Sequence, residues 1–395
     1  MAVVDERPFS SELLLKPKSE LMKYFKDTFV PHEKAKAVLK LLISSLCEPA
    51  GTSLFLLFGC TGSGKSMLLK QLHKQINELF KHELINDPGK IVSANMEVPE
   101  QPGRFNYKDY YWRGLEALHE VLIEYKVYYP TLASEEDAEL IVTPSERNAA
   151  GYRRALENTL KNRKLVFFSL DEAQHALMAA NSGQMLRQFN WIKSMANISK
   201  TTHLLCGTYE LLNCRTWNGQ TGRRSEDIHL ERYHADVKED YAEIVRVIKT
   251  LLRRMPVQNE PDTSKFARKY DYIIEYCIGC VGVLKDWFHR ALRRALDDGA
   301  TTLLLKHLKQ TELSPVRRKQ IRDEAERGEQ ILRDEVSGSP AATNLTATQS
   351  RNSSNKGRKD STRPGERLPN RDTVGTDQFA AEAMDEKGSS REEQE

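Results

Sequence analysis

The chain has 395 residues, enough for one large domain or two modest ones with tails. Its formal net charge is only +3 with 29% charged residues, so no global field draws it to nucleic acid and any anionic partner must meet a local patch. Six scattered cysteines, no apolar run near the length of a membrane span, and a start (MAVVDERPF) without a cationic, apolar leader point to a soluble protein of the reducing cytoplasm, with no membrane partner.

Residues 1–28 read as an arm and a first helix, with Leu21, Tyr24, Phe25 and Phe29 at helical spacing before Pro31. A helix over residues 33–46 follows, its apolar face made of Val38, Leu39, Leu42, Ile43 and Leu46. It leads directly into the first strand, so residues 29–32 either line an adenine pocket or form an ordinary helix junction.

Residues 53–69 read SLFLLFGCTGSGKSMLL: a continuous apolar run ends at Gly59, and Gly64 precedes Lys65, Ser66, Met67 and a helical pattern. A strand buried on both faces, a glycine-rich turn and a helix start make a phosphate-binding loop. Between Gly59 and Gly64 the N–H groups through Cys60, Thr61, Gly62 and Ser63 turn toward one centre, and the helix adds its positive dipole end. Lys65 is expected to reach the β- and γ-phosphates of ATP, and the Ser66 hydroxyl to complete the shell of a magnesium ion. The alternative is a glycine-rich turn that matches by chance.

A second strand is expected over residues 90–95, ending at Asn95, where the amide reaches Glu172. The stretch VPEQPGRFNYKDYYWRGLEAL then runs from a proline-punctuated loop into a helix with Tyr107, Tyr111, Leu118 and Leu122 on its core face. Arg104 and Lys108 lie off that stripe and are candidates for DNA phosphates. Residues 130–144 are acidic and loop-like. Ser145 caps a helix whose core face is Tyr152, Leu156 and Leu160; Arg147, Arg153, Arg154 and Lys161 form either a solvated face or a DNA-binding surface.

Residues 165–172, LVFFSLDE, are a third buried strand that delivers two carboxylates. Asp171 is expected to hold magnesium through water and Glu172 to polarise the attacking water. Met185, Leu186, Phe189, Ile192 and Met195 mark a helix. Residues 203–208, HLLCGT, form a fourth strand, with Thr208 either meeting the γ-phosphate or its water, or capping the next turn.

The loop NGQTGRRSE, residues 218–226, sets Arg223 and Arg224 beside the sheet edge before a fifth strand over residues 228–233. In a ring one of them reaches the neighbour's γ-phosphate, with Arg232 as the fallback; a plain surface loop is the alternative. From Asp236 strands give way to the helices of a small lid. In its segment GCVGVLK, Lys285 either senses phosphate from the lid side or snorkels to solvent. Cys277 and Cys280 form a CxxC with no matching second pair, and are read as buried small hydrophobes. Residues 315–335 are helix-prone but mostly charged, with few apolar positions to dock. Beyond Ser337 the chain lacks the apolar content to fold and is expected to be disordered, with residues 379–384 as a short partner motif.

Five buried strands alternating with helices, a helical lid after them, and candidate trans-acting arginines between the fourth strand and the lid resemble the layout of AAA+ ATPases. The resemblance implies an α/β P-loop NTPase: a parallel five-stranded sheet flanked by helices, a small C-terminal helical lid and a disordered tail. Its parts are residues 1–28 (arm and helix), 29–234 (ATPase α/β domain), 235–312 (lid), 313–336 (charged helix) and 337–395 (tail). Within AAA+ proteins, GCTGSGKS, NMEVPEQPGRFNYKDYYWRGL, FFSLDEAQHAL, LLCGTYELL and GCVGVLKDWFHRAL resemble the TnsC and TniB group of transposition regulators, over residues 29–296. That resemblance implies a protein that binds and hydrolyses ATP with magnesium and forms a homo-oligomeric ring or helical filament on duplex DNA. It also implies partners: a TniQ or TnsD target selector, in some systems with a CRISPR effector, and a TnsB transposase, often with TnsA. Two departures are visible. The lid motif lacks the arginine many AAA+ proteins use as second sensor, and the insertion up to Lys164 is long, so DNA contacts do not carry over. The alternatives are a replication-initiator or helicase-loader ATPase and a small-molecule phosphotransferase; the paired Asp171 and Glu172 and the helical lid weigh against the last.

Overall fold

The computed structural model describes residues 7–101, 105–125, 149–178, 182–214 and 225–336. By its internal contacts the chain divides at Pro340, and all described residues belong to the first unit. The expected tail and its motif lie outside the described residues.

Two helices, α1 (Lys18–Asp27) and α2 (Glu33–Cys47), precede β1 (Leu54–Phe58). Then follow α3 (Lys65–Leu79), α4 (Lys81–Asn86), β2 (Ser93–Glu97), α5 (Tyr107–Ala117), α6 (Ala149–Asn162), β3 (Phe167–Asp171), α7 (Gln174–Met178), α8 (Ser182–Ser199), β4 (Thr202–Gly207) and β5 (Ser225–His229). The lid elements are α9 (Lys238–Arg253), α10 (Thr263–Ala267), α11 (Tyr270–Cys277), α12 (Val281–Asp297) and α13 (Leu305–Gln310), and α14 (Pro315–Val336) closes the described chain. Among the described residues no helix is long and apolar enough to cross a membrane.

The five strands form one parallel sheet in the order β2-β3-β4-β1-β5. Alternation along β1 sends Phe55 and Leu57 into a core with Leu42, Leu72 and Ile76 of α2 and α3, and Leu54, Leu56 and Phe58 into the opposite core with Phe189 and Ile192 of α8. Both faces are covered by helices, which is why every residue of β1 is buried. Because the strands are parallel, their carboxyl ends share one edge, and Gly59, Glu172 and Thr208 each follow directly on a strand there.

Two strands differ from the expected spans. β2 starts later, because the Lys90 N–H closes a turn on Asp87 O and the Ile91 N–H goes to Arg163 O; the ladder begins only where Ser93 meets Phe167. β5 starts and ends earlier. Leu230 N–H still reaches Phe58 O, but β1 then turns away and Tyr233 N–H is taken by Gly279 O of the lid.

The helix at the end also differs. α14 docks, and small and charged groups contribute much of its seat: Ala325 is fully buried, Gly328 backs onto the Tyr209 ring, and Arg318 lies over the Tyr276 ring at 3.7 Å. Ile321, Ile331 and Leu332 add half-buried apolar contact.

Candidate nucleotide site at the carboxyl edge of the sheet

After Phe58 the chain turns through residues 59–64 into α3. Gly62 and Gly64 have φ of 76° and 103°, a region where a side chain strains the backbone, so the turn needs glycine there. Ser63 N–H closes the turn on Cys60 O at 3.1 Å, and Gly64 is the N-cap of α3. The first amides of a helix have no partner within it, so the turn collects N–H groups and the dipole end at one place. Ser63 Oγ is buried in this loop without a hydrogen-bond partner. Lys65 is 8% exposed, and its ammonium donates to Gly59 O and Cys60 O, both at 2.9 Å, so its charge lies inside the loop. Ser66 is exposed and Met67 half-buried on the same turn.

β3 and β4 bring the remaining groups to this edge. Asp171 ends β3, and its Oδ1 accepts Glu172 N–H at 3.0 Å. Glu172 turns the chain at φ 52°, left-handed for a residue with a side chain. Beside them the fully buried Cys206 thiol is pushed far up by burial, further by the Asp171 charge, and pulled back by the Lys65 ammonium. The carboxylate and the loop lysine thus act on one point of the sheet. Gln174 Nε2 donates to Glu172 Oε2 at 2.5 Å, and Gln174 Oε1 accepts Thr208 N–H at 3.3 Å. The Thr208 hydroxyl donates to Glu210 Oε2 at 3.2 Å.

The lid and the last helix both touch the loop. Val283 N–H at the start of α12 donates to Gly62 O at 3.0 Å, and Cys280 Sγ lies 2.9 Å from Cys60 Sγ, both thiols fully buried. Cys277 is fully buried as well, and among the described residues no group of three or more His, Cys, Asp or Glu is arranged to hold a metal ion. Glu324 of α14 accepts the Thr61 N–H at 3.1 Å and the Thr61 hydroxyl at 3.0 Å. The hydroxyl of Ser66 and the carboxylate of Asp171 are hard oxygen donors, a set that suits magnesium completed by water and phosphate oxygens.

Several expected side chains point elsewhere. β2 runs on to Glu97, so Asn95 sits mid-strand opposite Ser169, whose hydroxyl it accepts at 2.7 Å; it does not end the strand, and Glu97 is the residue in register with Asp171. The same Ser169 hydroxyl meets His73 Nε2 at 2.8 Å, which gives Asn95 a structural setting next to α3. Lys285 is not aimed at phosphate: its ammonium donates to Lys26 O at 2.6 Å, capping the end of α1, and burial lowers its pKa. Arg232 is bound within its own chain, Nε to Glu329 Oε1 at 2.7 Å and Nη2 to Oε2 at 3.0 Å.

Residues 29–32 are stitched to the lid side: Phe29 O accepts Arg254 Nη1 at 3.1 Å, and the Tyr233 hydroxyl lies 2.8 Å from His32 Nδ1. Of the basic candidates, Arg153 is half-buried and donates to Glu157 Oε1 at 2.8 Å and to Ser194 Oγ at 3.2 Å. Lys108 lies 5.9 Å from the Tyr152 ring centroid, and Arg154 is exposed on α6. Arg104, Arg147, Arg223 and Arg224 lie outside the described residues.

Two participants were not legible beforehand. Gln174 stands two residues after Glu172, and the signal was its adjacency to the carboxylate pair. Glu324 is 263 residues from Thr61, and no local pattern marks it.

A parallel five-stranded sheet between helical layers, with a phosphate loop after β1 and an acidic pair after β3, is the AAA+ P-loop NTPase fold. Residues 50–214 match the family described as "AAA domain". No curated protein matched the sequence. Among solved structures the chain is similar to the Aeropyrum pernix ORC2 protein in its ADPNP and ADP complexes, 16% identical over 73% of this chain and 70% of that one, TM-score 0.47. It is also similar to Cdc6p from Pyrobaculum aerophilum, 15% identical over 74% and 71%, TM-score 0.45. A third is Drosophila ORC bound to DNA, 12% identical over 79% and 68%, TM-score 0.43.

Proposed function

We propose that the protein is an ATP-hydrolysing regulator of DNA transposition of the TnsC and TniB type, acting in the cytoplasm. It assembles on duplex DNA as a ring or helical filament and connects a TniQ or TnsD target selector to a TnsB transposase, with or without TnsA. The observation that carries the ATPase part is the meeting of Lys65, Asp171, Glu172 and Thr208 at one edge of the sheet, with α12 resting on the phosphate loop.

In this reading Lys65 and the loop amides bind the polyphosphate, Glu172 takes a proton from the attacking water, and Thr208 senses the γ-phosphate. Ser66 and Asp171 hold magnesium, which when bound neutralises charge on the transferring phosphoryl group. Arg223 or Arg224 of a neighbouring subunit completes the site, so that nucleotide state governs assembly. The DNA-facing candidates are Arg104, Lys108, Arg147, Arg153 and Arg154, of which Arg153 also donates to Glu157 and Ser194. The transposition role is supported by the sequence resemblance over residues 29–296. A replication-initiator or helicase-loader role uses the same ATPase site and separates from it at the partner.

Electron microscopy with duplex DNA tests the proposal: assemblies are expected with a non-hydrolysable ATP analogue and not with ADP, and DNA affinity should fall steeply with salt. Solitary particles under saturating analogue and DNA would overturn it. Capture of a helicase in place of a transposase from cell extract would move the protein to the initiator class.

A further inference from the structure

Directly after β3 the chain is knitted to both neighbouring strands. Ala173 N–H donates to Cys206 O of β4 at 2.8 Å, and His175 Nδ1 lies 3.0 Å from Val98 O just past β2. Between them Gln174 is 4% exposed. An amide buried to that extent must find partners for both ends, or its desolvation is uncompensated. Its donor end goes to Glu172 Oε2 at 2.5 Å and its acceptor end to Thr208 N–H at 3.3 Å.

We infer that Gln174 is a positioning residue for the water-activating carboxylate: its amide ties Glu172, after β3, to the backbone of Thr208, after β4. The inference rests on the proposed role of Glu172 in ATP hydrolysis and deepens it. Only an amide of this length meets both demands, since a carboxylate has nothing to donate and an apolar side chain offers neither bond. The neighbouring backbone makes room for it: a Cβ on Gly207 would stand 2.2 Å from Gln174 Oε1. Glu172 occupies a strained left-handed φ of 52°, which persists only where the surroundings over-determine it. With Oε2 engaged by Gln174, Oε1 is the oxygen left to take a proton from water. A shift of Thr208 against γ-phosphate is transmitted through one side chain to the base, so sensing and proton abstraction are coupled.

The test compares Gln174→Met, which keeps the volume and loses both bonds, with Gln174→Glu, which keeps the acceptor for Thr208 N–H. Gln174→Met should lower kcat about tenfold or more with KM and ATP-analogue affinity within about twofold of wild type, since misplacement of the base acts on the chemical step. Gln174→Glu should fall at least as far. On a Glu172→Gln background, Gln174→Met should add no further loss, because the residue acts through Glu172. Wild-type kcat in Gln174→Met, or an undiminished loss on the Glu172→Gln background, overturns the inference.

The bond is also read without turnover. In protein carrying 15N-labelled glutamine, the Gln174 side-chain amide signal, assigned by its loss in Gln174→Met, should shift in Glu172→Gln. No shift overturns the inference. That shift, together with a wild-type protein that hydrolyses no more ATP than Lys65→Ala, upholds the tie between the two residues and dismisses the ATPase reading instead.

Discussion

Glu324 Oε1 accepts both the backbone N–H and the hydroxyl of Thr61, at 3.1 and 3.0 Å, across 263 residues of sequence. A carboxylate therefore sits on donors of a loop whose geometry collects N–H groups and a positive helix end for anions. Five positions further along α14, Glu329 grips Arg232 beyond the end of β5, so the helix that brings the anion to the loop is itself fastened to the sheet domain.

Replacing that anion should favour nucleotide. Glu324→Ala removes a negative charge and frees two donors of Thr61, so affinity for a fluorescent ATP analogue is expected to rise about three- to tenfold, an energy of the size of one hydrogen bond to a charged group in a half-exposed place. The gain should shrink as salt is raised. Unchanged or weaker binding would separate Glu324 from the nucleotide site.

Glu172→Gln keeps the size of the side chain and removes its basicity. ATP binding should persist while turnover falls by about 10² to 10⁴, the usual range for loss of a general base, and long-lived assemblies should accumulate on DNA. Phosphate release at the wild-type rate would take Glu172 out of the chemistry.

The Arg232–Glu329 pair has side chains only 12% and 10% exposed. Burial works to raise the Glu329 carboxyl, but the hydrogen bonds and charge of Arg232 outweigh it and hold it below its ordinary 4.5. The pair's contribution is therefore complete above that pH and lost as pH falls through the lowered value. Arg232→Ala removes the two short hydrogen bonds to a largely buried carboxylate and leaves it facing the more distant His234 Nε2 at 3.7 Å and Arg333 Nη2 at 4.0 Å. It should therefore cost about 2 kcal/mol by urea unfolding, whereas the double change Arg232→Met with Glu329→Leu should recover most of it. Equal losses in the single and double variants would contradict this account.

Three histidines, His32, His73 and His203, are held neutral by burial, each with its pKa lowered from 6.5 to about 4. Between those values the unfolded chain binds protons that the folded chain does not, so stability is full above pH 6.5 and drains as pH falls toward 4. Each residue adds a slope of up to about 1.4 kcal/mol per pH unit. Urea midpoints should drop steadily from neutral pH into that window, and His203→Leu should flatten the decline by less than about a third, since burial also holds His229, His289 and His307 below 6.5. A constant midpoint across the window would show that these rings accept protons in the folded state.

The phosphate loop was legible because one contiguous stretch sets the end of β1, the glycine turn and the start of α3, and each depends on neighbours in sequence. The same holds for the core faces of α2 and α6, where burial follows the helical repeat. Asp171 and Glu172 were legible as the polar end of an apolar run. The limits of β2 and β5 were displaced, since a ladder begins and stops where a partner strand offers backbone, and the partners are Phe167 and Phe58. The aims of Asn95, Lys285 and Arg232 were decided by Ser169, the Lys26 carbonyl and Glu329, none of them near in sequence. The docking of α14 belongs with these, because its charged stretch offers little amphipathic stripe and is held partly by ion pairing and by close approach at Gly328.

Local chemistry in the chain thus determined the class of fold and the glycine turn and helix start proposed to meet polyphosphate. Tertiary structure alone decided which side chains converge on Glu172 and Thr61. Turns and helix starts are written in adjacent residues, whereas hydrogen bonds such as those from Gln174 to Glu172 and from Thr61 to Glu324 exist only once separate elements have packed.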